Sequence, residues 1–286
     1  MTDAQSTANA DQTAYWNEAA GPTWAAMQDI MDWQLAPLSH ATIEALGPRE
    51  GDHLLDIGCG CGASSLELAW AVDPEGSVLG VDISRPMLDV ARQRADKAGY
   101  AQVRFALGDA QTYAFEAGAF DGVFSRFGVM FFEDPVAAFA NIRGALRPGG
   151  RMAFVCWRAM ADNPLMTLPM QAAAKHFAPP SGPPPDPYAP GPFAFADGER
   201  LRRILAEAGF IDIALRPHDE MIGARTLDDA METALRVGPL GRMLGVFPDK
   251  REAASVSVRE ALAPLATPDG VLLPSATWIV TARQPR

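Results

Sequence analysis

Ten residues constrain this chain more than any others: His53-Leu-Leu-Asp-Ile-Gly-Cys-Gly-Cys-Gly62. A run of strand length passes straight into glycines at every second position, Gly58, Gly60 and Gly62. Without a Cβ, such a loop turns sharply and approaches a ligand that any side chain would hold off. About twenty residues on, Leu79-Gly-Val-Asp82 reads as a second strand ending in an acid. Strand, glycine loop, helix and acid-ended strand predict a bound adenosine, with Asp82 accepting hydrogen bonds from the ribose diol.

Two ligands fit that much. Gly58-x-Gly60-x-x-Ala63 satisfies the G-x-G-x-x-G/A fingerprint of nicotinamide dinucleotides. Asp56, two residues before the first glycine, separates the alternatives. A carboxylate at the lip of the loop repels a pyrophosphate and attracts an ammonium group. S-adenosylmethionine carries an ammonium on its methionine half and no phosphate, so the residues favour it over NAD.

From Gly51 onward strand and helix patterns alternate, with strands at 53–57, 77–81 and 103–106 and helices at 64–72 and 85–98. Alternation of this kind specifies an α/β fold, a parallel sheet with helices on both faces. Ligands on such sheets bind at the carboxyl ends of the strands, near the point where strand order reverses. Residues 56–62, Asp82, Asp109 and residues 125–127 all fall at those ends.

Four segments in this order resemble the motifs of the class I S-adenosylmethionine-dependent methyltransferases, over about residues 50–157. They are Asp56-x-Gly58-x-Gly60-x-Gly62, Val103-Arg-Phe-Ala-Leu-Gly-Asp109-Ala110, Phe120-Asp-Gly-Val-Phe-Ser-Arg-Phe127 and Leu146-Arg-Pro-Gly-Gly-Arg-Met-Ala-Phe154. Ser125-Arg-Phe-Gly-Val-Met-Phe-Phe132, Pro190-Gly-Pro-Phe193 and the segment around Trp278 are similar to the bacterial ubiquinone and menaquinone methyltransferases, a small-molecule branch. The resemblance implies a Rossmann-like fold: a seven-stranded, mostly parallel sheet, an N-terminal helical segment and a cap or insertion. It implies S-adenosylmethionine as cofactor, with S-adenosylhomocysteine as product, and a small-molecule methyl acceptor.

The same resemblance implies roles. Asp56 and the backbone of Gly58, Cys59, Gly60 and Gly62 hold the methionine end; Asp82 takes the ribose; Ile83 and Met87 pack on adenine; Asp109 and the Ala110 backbone read its edge. Arg126 and Phe127 close the cofactor set, the guanidinium pairing with the methionine carboxylate, an anionic acceptor or a scaffold carboxylate. Trp16, Trp24, Met130 and Phe193 are candidates for the acceptor pocket. Methyl transfer needs a general base only for a protonated acceptor. The catalytic group is left open, with His218 after the sixth strand and His176 in the cap as candidates.

Composition narrows the partners. A formal net charge of -11 opposes nucleic-acid binding, which comes largely from Lys and Arg displacing counterions. No apolar run reaches transmembrane length and the N-terminus lacks signal-peptide regions, which points to the cytoplasm. Cys59, Cys61 and Cys156 suggest neither a disulfide framework nor a metal site; the first two read as small residues in a tight loop. Oligomeric state is not readable.

The rest of the chain divides by pattern into an N-terminal helical segment (1–48), the cofactor-binding core (49–158), a proline-rich cap (159–197) and the remainder of the core (198–286). Residues 1–12 are polar and frayed, and Tyr15, Trp16, Trp24, Met27, Met31 and Trp33 fit one amphipathic helix. Ten prolines between 163 and 192 predict an irregular cap after a short helix at 165–177, docked by Phe193 and Phe195. A helix at 198–208 and a sixth strand at 210–216 follow; a helical insertion at 227–264, broken at Gly238-Pro239 and Phe247-Pro248, precedes a last strand at 276–282. Protein methylation and non-catalytic cofactor binding remain the alternative functions.

Overall fold

The structure, a computed structural model, describes residues 9–179 and 186–286. The start of the polar N-terminus and most of the proline run, residues 180–185, lie outside the described residues.

Three helices open the chain, α1 (Ala10–Glu18), α2 (Ala20–Ala26) and α3 (Gln28–Leu46), where the spacing of aromatic residues predicts one. Pro22 lacks an N–H and its ring would strike the carbonyl of Glu18, so the helix breaks at Ala19 (φ -111°, ψ -62°). The expected fraying to residue 12 stops short, because α1 begins at Ala10.

The sheet unit is β1 (His53–Ile57), α4 (Ala63–Val72), β2 (Ser77–Asp82), α5 (Arg85–Ala98), β3 (Val103–Leu107), β4 (Phe120–Arg126), α6 (Pro135–Ala145) and β5 (Leu146–Trp157). Helix limits follow local chemistry. Pro86 opens α5 and Gly99 ends it in the left-handed conformation; the Asp134 carboxylate caps α6 by accepting from the Ala137 N–H. After β5 come α7 (Pro164–Ala173), α8 (Gly198–Glu207), β6 (Ile211–Ala224), α9 (Leu227–Arg236), α10 (Gly238–Val246), α11 (Arg251–Leu262), β7 (Ala266–Thr267) and β8 (Gly270–Arg283).

Strands pair in the order β3-β2-β1-β4-β5-β8-β6, parallel up to β5 and antiparallel at β8. The two-residue β7, paired with β8, adds an eighth strand to the seven expected. β6 and β8 each run 14 residues, well past the limits read from alternation, and stay paired from Ile211↔Arg283 to Ala224↔Val271. This ribbon overhangs the carboxyl edge of the sheet. On it sits a satellite core: Met231 of α9, Leu240 and Leu244 of α10 and Val258 of α11, against Val271 and Leu273, joined by Ala173 of α7. The cap's far end docks as the apolar residues require, with Phe195 buried against Phe139 and the Gly191 N–H donating to the Met130 carbonyl. Among the described residues no helix is long and apolar enough to cross a membrane.

Candidate cofactor and acceptor site

Strand order reverses between β1 and β4, so the crevice lies above Ile57 and Arg126. Two glycines meet there. A Cβ on Gly58 (φ +67°) would stand 2.6 Å from the Gly128 Cα, and one on Gly128 would stand 2.6 Å from the Ile57 carbonyl oxygen. Neither position admits another residue without moving backbone. The loop is then tied to β2: Gly58 and Cys59 donate to the Val81 carbonyl, and Gly60 donates to Asp82 Oδ2 at 2.8 Å. Asp82 Oδ1 takes the Ser84 N–H at 2.8 Å. Burial raises the Asp82 carboxyl above its ordinary range, against these backbone bonds. Asp82 therefore holds the shape of the loop as well as offering its remaining lone pairs to a ligand.

Asp56 is fully buried beneath the loop. Its Oδ2 accepts from the Ser64 and Ser65 hydroxyls at 2.8 and 2.6 Å, while Oδ1 has no partner among the described residues. Burial pushes its carboxyl up to about 6, against the two serine bonds and the Arg126 charge. Arg126 ends β4 with Nη2 3.6 Å from Asp32 Oδ1 of α3, and Asp32 Oδ2 is 2.8 Å from Arg94 of α5. Of the three partners the sequence allows for Arg126, a scaffold carboxylate is present, yet Arg126 Nη1 is buried without a partner among the described residues. A buried unpaired charged atom costs several kcal/mol, and two of opposite sign in one site mark where a ligand belongs.

The N-terminal helices cover these strand ends. Asn9 donates from its amide to Asp109 Oδ2 at 3.0 Å, and its backbone N–H to Glu133 Oε2 at 2.9 Å. Asn17 donates to the Ile83 carbonyl and accepts from the Arg85 N–H; Ser84 Oγ donates to the Trp16 carbonyl. Gly21 packs so closely over Ser84 that a Cβ would stand 2.4 Å from its hydroxyl. Trp16 sits edge-on to Trp24 (6.0 Å) and Phe131 (5.3 Å), which brings both tryptophan candidates to this lid.

Asp56, Gly58, Cys59, Gly60, Gly62, Asp82, Ile83, Met87, Asp109, Ala110 and Arg126 thus surround one group of strand ends. Met87 lies on the loop, its Cε 2.8 Å from where a Gly60 Cβ would be. Phe127, at φ +61°, turns away and stacks on Trp157 with ring centroids 4.3 Å apart. Met130, 1% exposed, is core, because its short 3-10 turn faces inward. Phe193 packs half-buried against the same core.

The histidine candidates are not brought to the loop. His176 Nε2 pairs with Ser257 Oγ at 2.9 Å, joining the end of α7 to α11, and His218, on the outer strand, faces Glu220 at 3.7 Å. Burial pushes the Cys59 thiol well up and the Cys61 thiol to about 12, so both are neutral fillers of a tight loop. Sequence reasoning missed Gly128, Asn9, Asp32 and the serines under Asp56; of these only Gly128, beside a strand end, carried a signal.

A family profile described as a methyltransferase domain matches residues 54–150. Nocamycin O-methyltransferase of Saccharothrix syringae is 38% identical over 116 residues, 41% of each chain. Demethylmenaquinone methyltransferase of Staphylococcus aureus is 31% identical over 179 residues, 60% of this chain and 73% of that one. The first three curated relatives it matches are spanned over only 41% to 54% of their length. The YcgJ protein of Bacillus subtilis shares the fold with a TM-score of 0.57 at 18% identity, covering 88% of this chain and 99% of that one. Motif geometry and a relative matched over most of its length agree: the chain belongs to the class I S-adenosylmethionine-dependent methyltransferases.

Proposed function

We propose that this chain binds S-adenosylmethionine above β1, β2 and β4 and transfers its methyl group to a small-molecule acceptor. The reading rests on one observation above all: Asp56 Oδ1 and Arg126 Nη1 are buried, opposite in charge and unpartnered among the described residues. The ammonium and carboxylate of an α-amino acid are their complement. NAD has no such pair and would bring a pyrophosphate to an acidic loop.

When bound, the cofactor supplies a methyl group already activated by the sulfonium charge. The chain's part is alignment and exclusion of water. Asp82 accepts from the ribose diol, Ile83 and Met87 pack on adenine, and Asp109 with the Ala110 backbone reads its edge. Helices α1 and α2, fixed by Asn9, Asn17 and Gly21, cover the site, and holding two reactants aligned there supplies several kcal/mol of barrier lowering. Free, buried cysteines suit a cytoplasmic setting.

Purified protein incubated with methyl-labelled cofactor and fractionated cell extract tests the reading. Label in low-molecular-weight products supports it; label confined to protein or nucleic acid overturns it.

A further inference from the structure

Arg126 and Asp56 set the site a problem. Each keeps one buried atom without a partner among the described residues, Nη1 and Oδ1, and the Arg126 charge already reaches the Asp56 carboxyl. Opposite charges in a poorly solvated site pair with one another unless something holds them apart. A direct Arg126–Asp56 pair would leave nothing for the ammonium and carboxylate of a ligand.

Asp32 of α3 opposes that pairing. Its two oxygens are divided between two guanidiniums: Oδ1 lies 3.6 Å from Arg126 Nη2, and Oδ2 lies 2.8 Å from Arg94 Nη2. Arg94 is fixed in turn, because its Nη1 donates to the Cys61 carbonyl of the glycine loop at 2.8 Å. The Cys61 thiol, raised chiefly by burial, is raised further by Asp32 and lowered by Arg94 and Arg126, so all three charges stand near the loop. A line of contacts thus runs from the loop through α5 and α3 to the end of β4, along which α3 packs.

Charge decides what this line does. Two guanidiniums share one carboxylate, so a positive charge is left over at the strand end. The 3.6 Å separation is too long for a hydrogen bond, and Asp32 attracts Arg126 without satisfying it. With Arg126 11% and Asp32 23% exposed, water screens that attraction only in part. Arg126 is therefore drawn toward α3 while Nη1 stays available to a second carboxylate.

We infer that Asp32 is a positioning residue for the amino-acid end of the cofactor: anchored by Arg94, it holds Arg126 off Asp56 and keeps open the two charges that an α-amino acid fills. The inference rests on the methyltransferase reading and deepens it, making α3 the element that sets the carboxylate subsite.

The test is calorimetry at pH 8 with S-adenosylhomocysteine and methylthioadenosine, which share the nucleoside and the thioether; the second lacks the amino-acid end. Asp32→Asn should weaken S-adenosylhomocysteine about tenfold and leave the methylthioadenosine Kd within twofold. Because Asp32 acts through Arg126, the same substitution made in an Arg126→Met background should change S-adenosylhomocysteine affinity less than twofold. Should Asp32→Asn fail to fold by circular dichroism, Asp32→Ser is read in the same way. If methylthioadenosine binds too weakly to titrate, the Arg126→Met comparison decides alone. Equal losses for both ligands, no loss for either, or a tenfold loss that persists without Arg126 overturns the inference. Failure of wild type to bind S-adenosylhomocysteine strikes the methyltransferase reading itself and takes the inference with it, whereas the other failures leave that reading standing.

Discussion

Asp56→Asn separates what the buried carboxylate does for a ligand from what it does to the fold. Its carboxyl is lifted by burial from an ordinary 3.8 to about 6. A raised folded-state value means that the native chain holds this proton more tightly than the unfolded one. The stability it contributes is full below pH 3.8 and is lost as pH rises through about 6. About two units at 1.36 kcal/mol each cost the ligand-free protein about 3 kcal/mol by pH 8. Asn keeps a carbonyl for Ser64 and Ser65 but leaves an unpartnered amide in place of Oδ1, at a cost of roughly 1–2 kcal/mol. The variant should therefore be about 1–2 kcal/mol more stable than wild type at pH 8, and no more stable at pH 4, where little of the penalty has developed. Urea unfolding at the two pH values measures this. S-adenosylhomocysteine affinity should fall about 100-fold, near 2.7 kcal/mol, because a charged hydrogen bond to the ammonium is gone. A variant less stable than wild type at pH 8, or one that binds S-adenosylhomocysteine as tightly, refutes the reasoning.

Gly58→Ala should cost well over 2 kcal/mol in urea unfolding and abolish cofactor binding, since its Cβ meets the Gly128 Cα at 2.6 Å; Gly51→Ala, also at positive φ but with open space, should cost only about 1–2 kcal/mol. Asp82→Ala should weaken S-adenosylhomocysteine binding by on the order of 2 kcal/mol and also destabilise the ligand-free protein, because the Gly60 and Ser84 N–H groups lose their acceptor; unchanged calorimetry would remove Asp82 from the ribose. Asn9→Ala should free α1 for limited proteolysis and weaken cofactor binding several-fold, while unchanged cleavage would show that Asn9 does not hold the lid. Phe195→Ala should cost about 3–5 kcal/mol of stability without changing S-adenosylhomocysteine affinity in the folded fraction, as befits a core anchor.

What could be read in the sequence was what the backbone demands of residue type. The glycine loop, Asp82 at a strand end and α5, whose limits Pro86 and Gly99 mark, each answer to a local rule. The insertion's breaks at Gly238-Pro239 and Phe247-Pro248 were visible for the same reason. Asn9 was not, because its partners Asp109 and Glu133 lie 100 and 124 residues away and only the fold assembles them. Asp32 looks like an ordinary helix residue until α3 lies against β4 and brings it to Arg126. The histidines taught the converse: His176 and His218 have the right chemistry for a base, and the ribbon of β6 and the contact of α7 with α11 place them elsewhere. Asp82, expected to serve the ribose alone, proved also to close the loop.

Calorimetry of the wild-type protein with S-adenosylhomocysteine and NAD, side by side at pH 8, tests the central claim most directly. One site for S-adenosylhomocysteine and no measurable NAD binding is the expected result, from Asp56 and Arg126 facing an amino acid and from an acidic loop that rejects pyrophosphate. NAD binding at comparable affinity, or no S-adenosylhomocysteine binding, would contradict it.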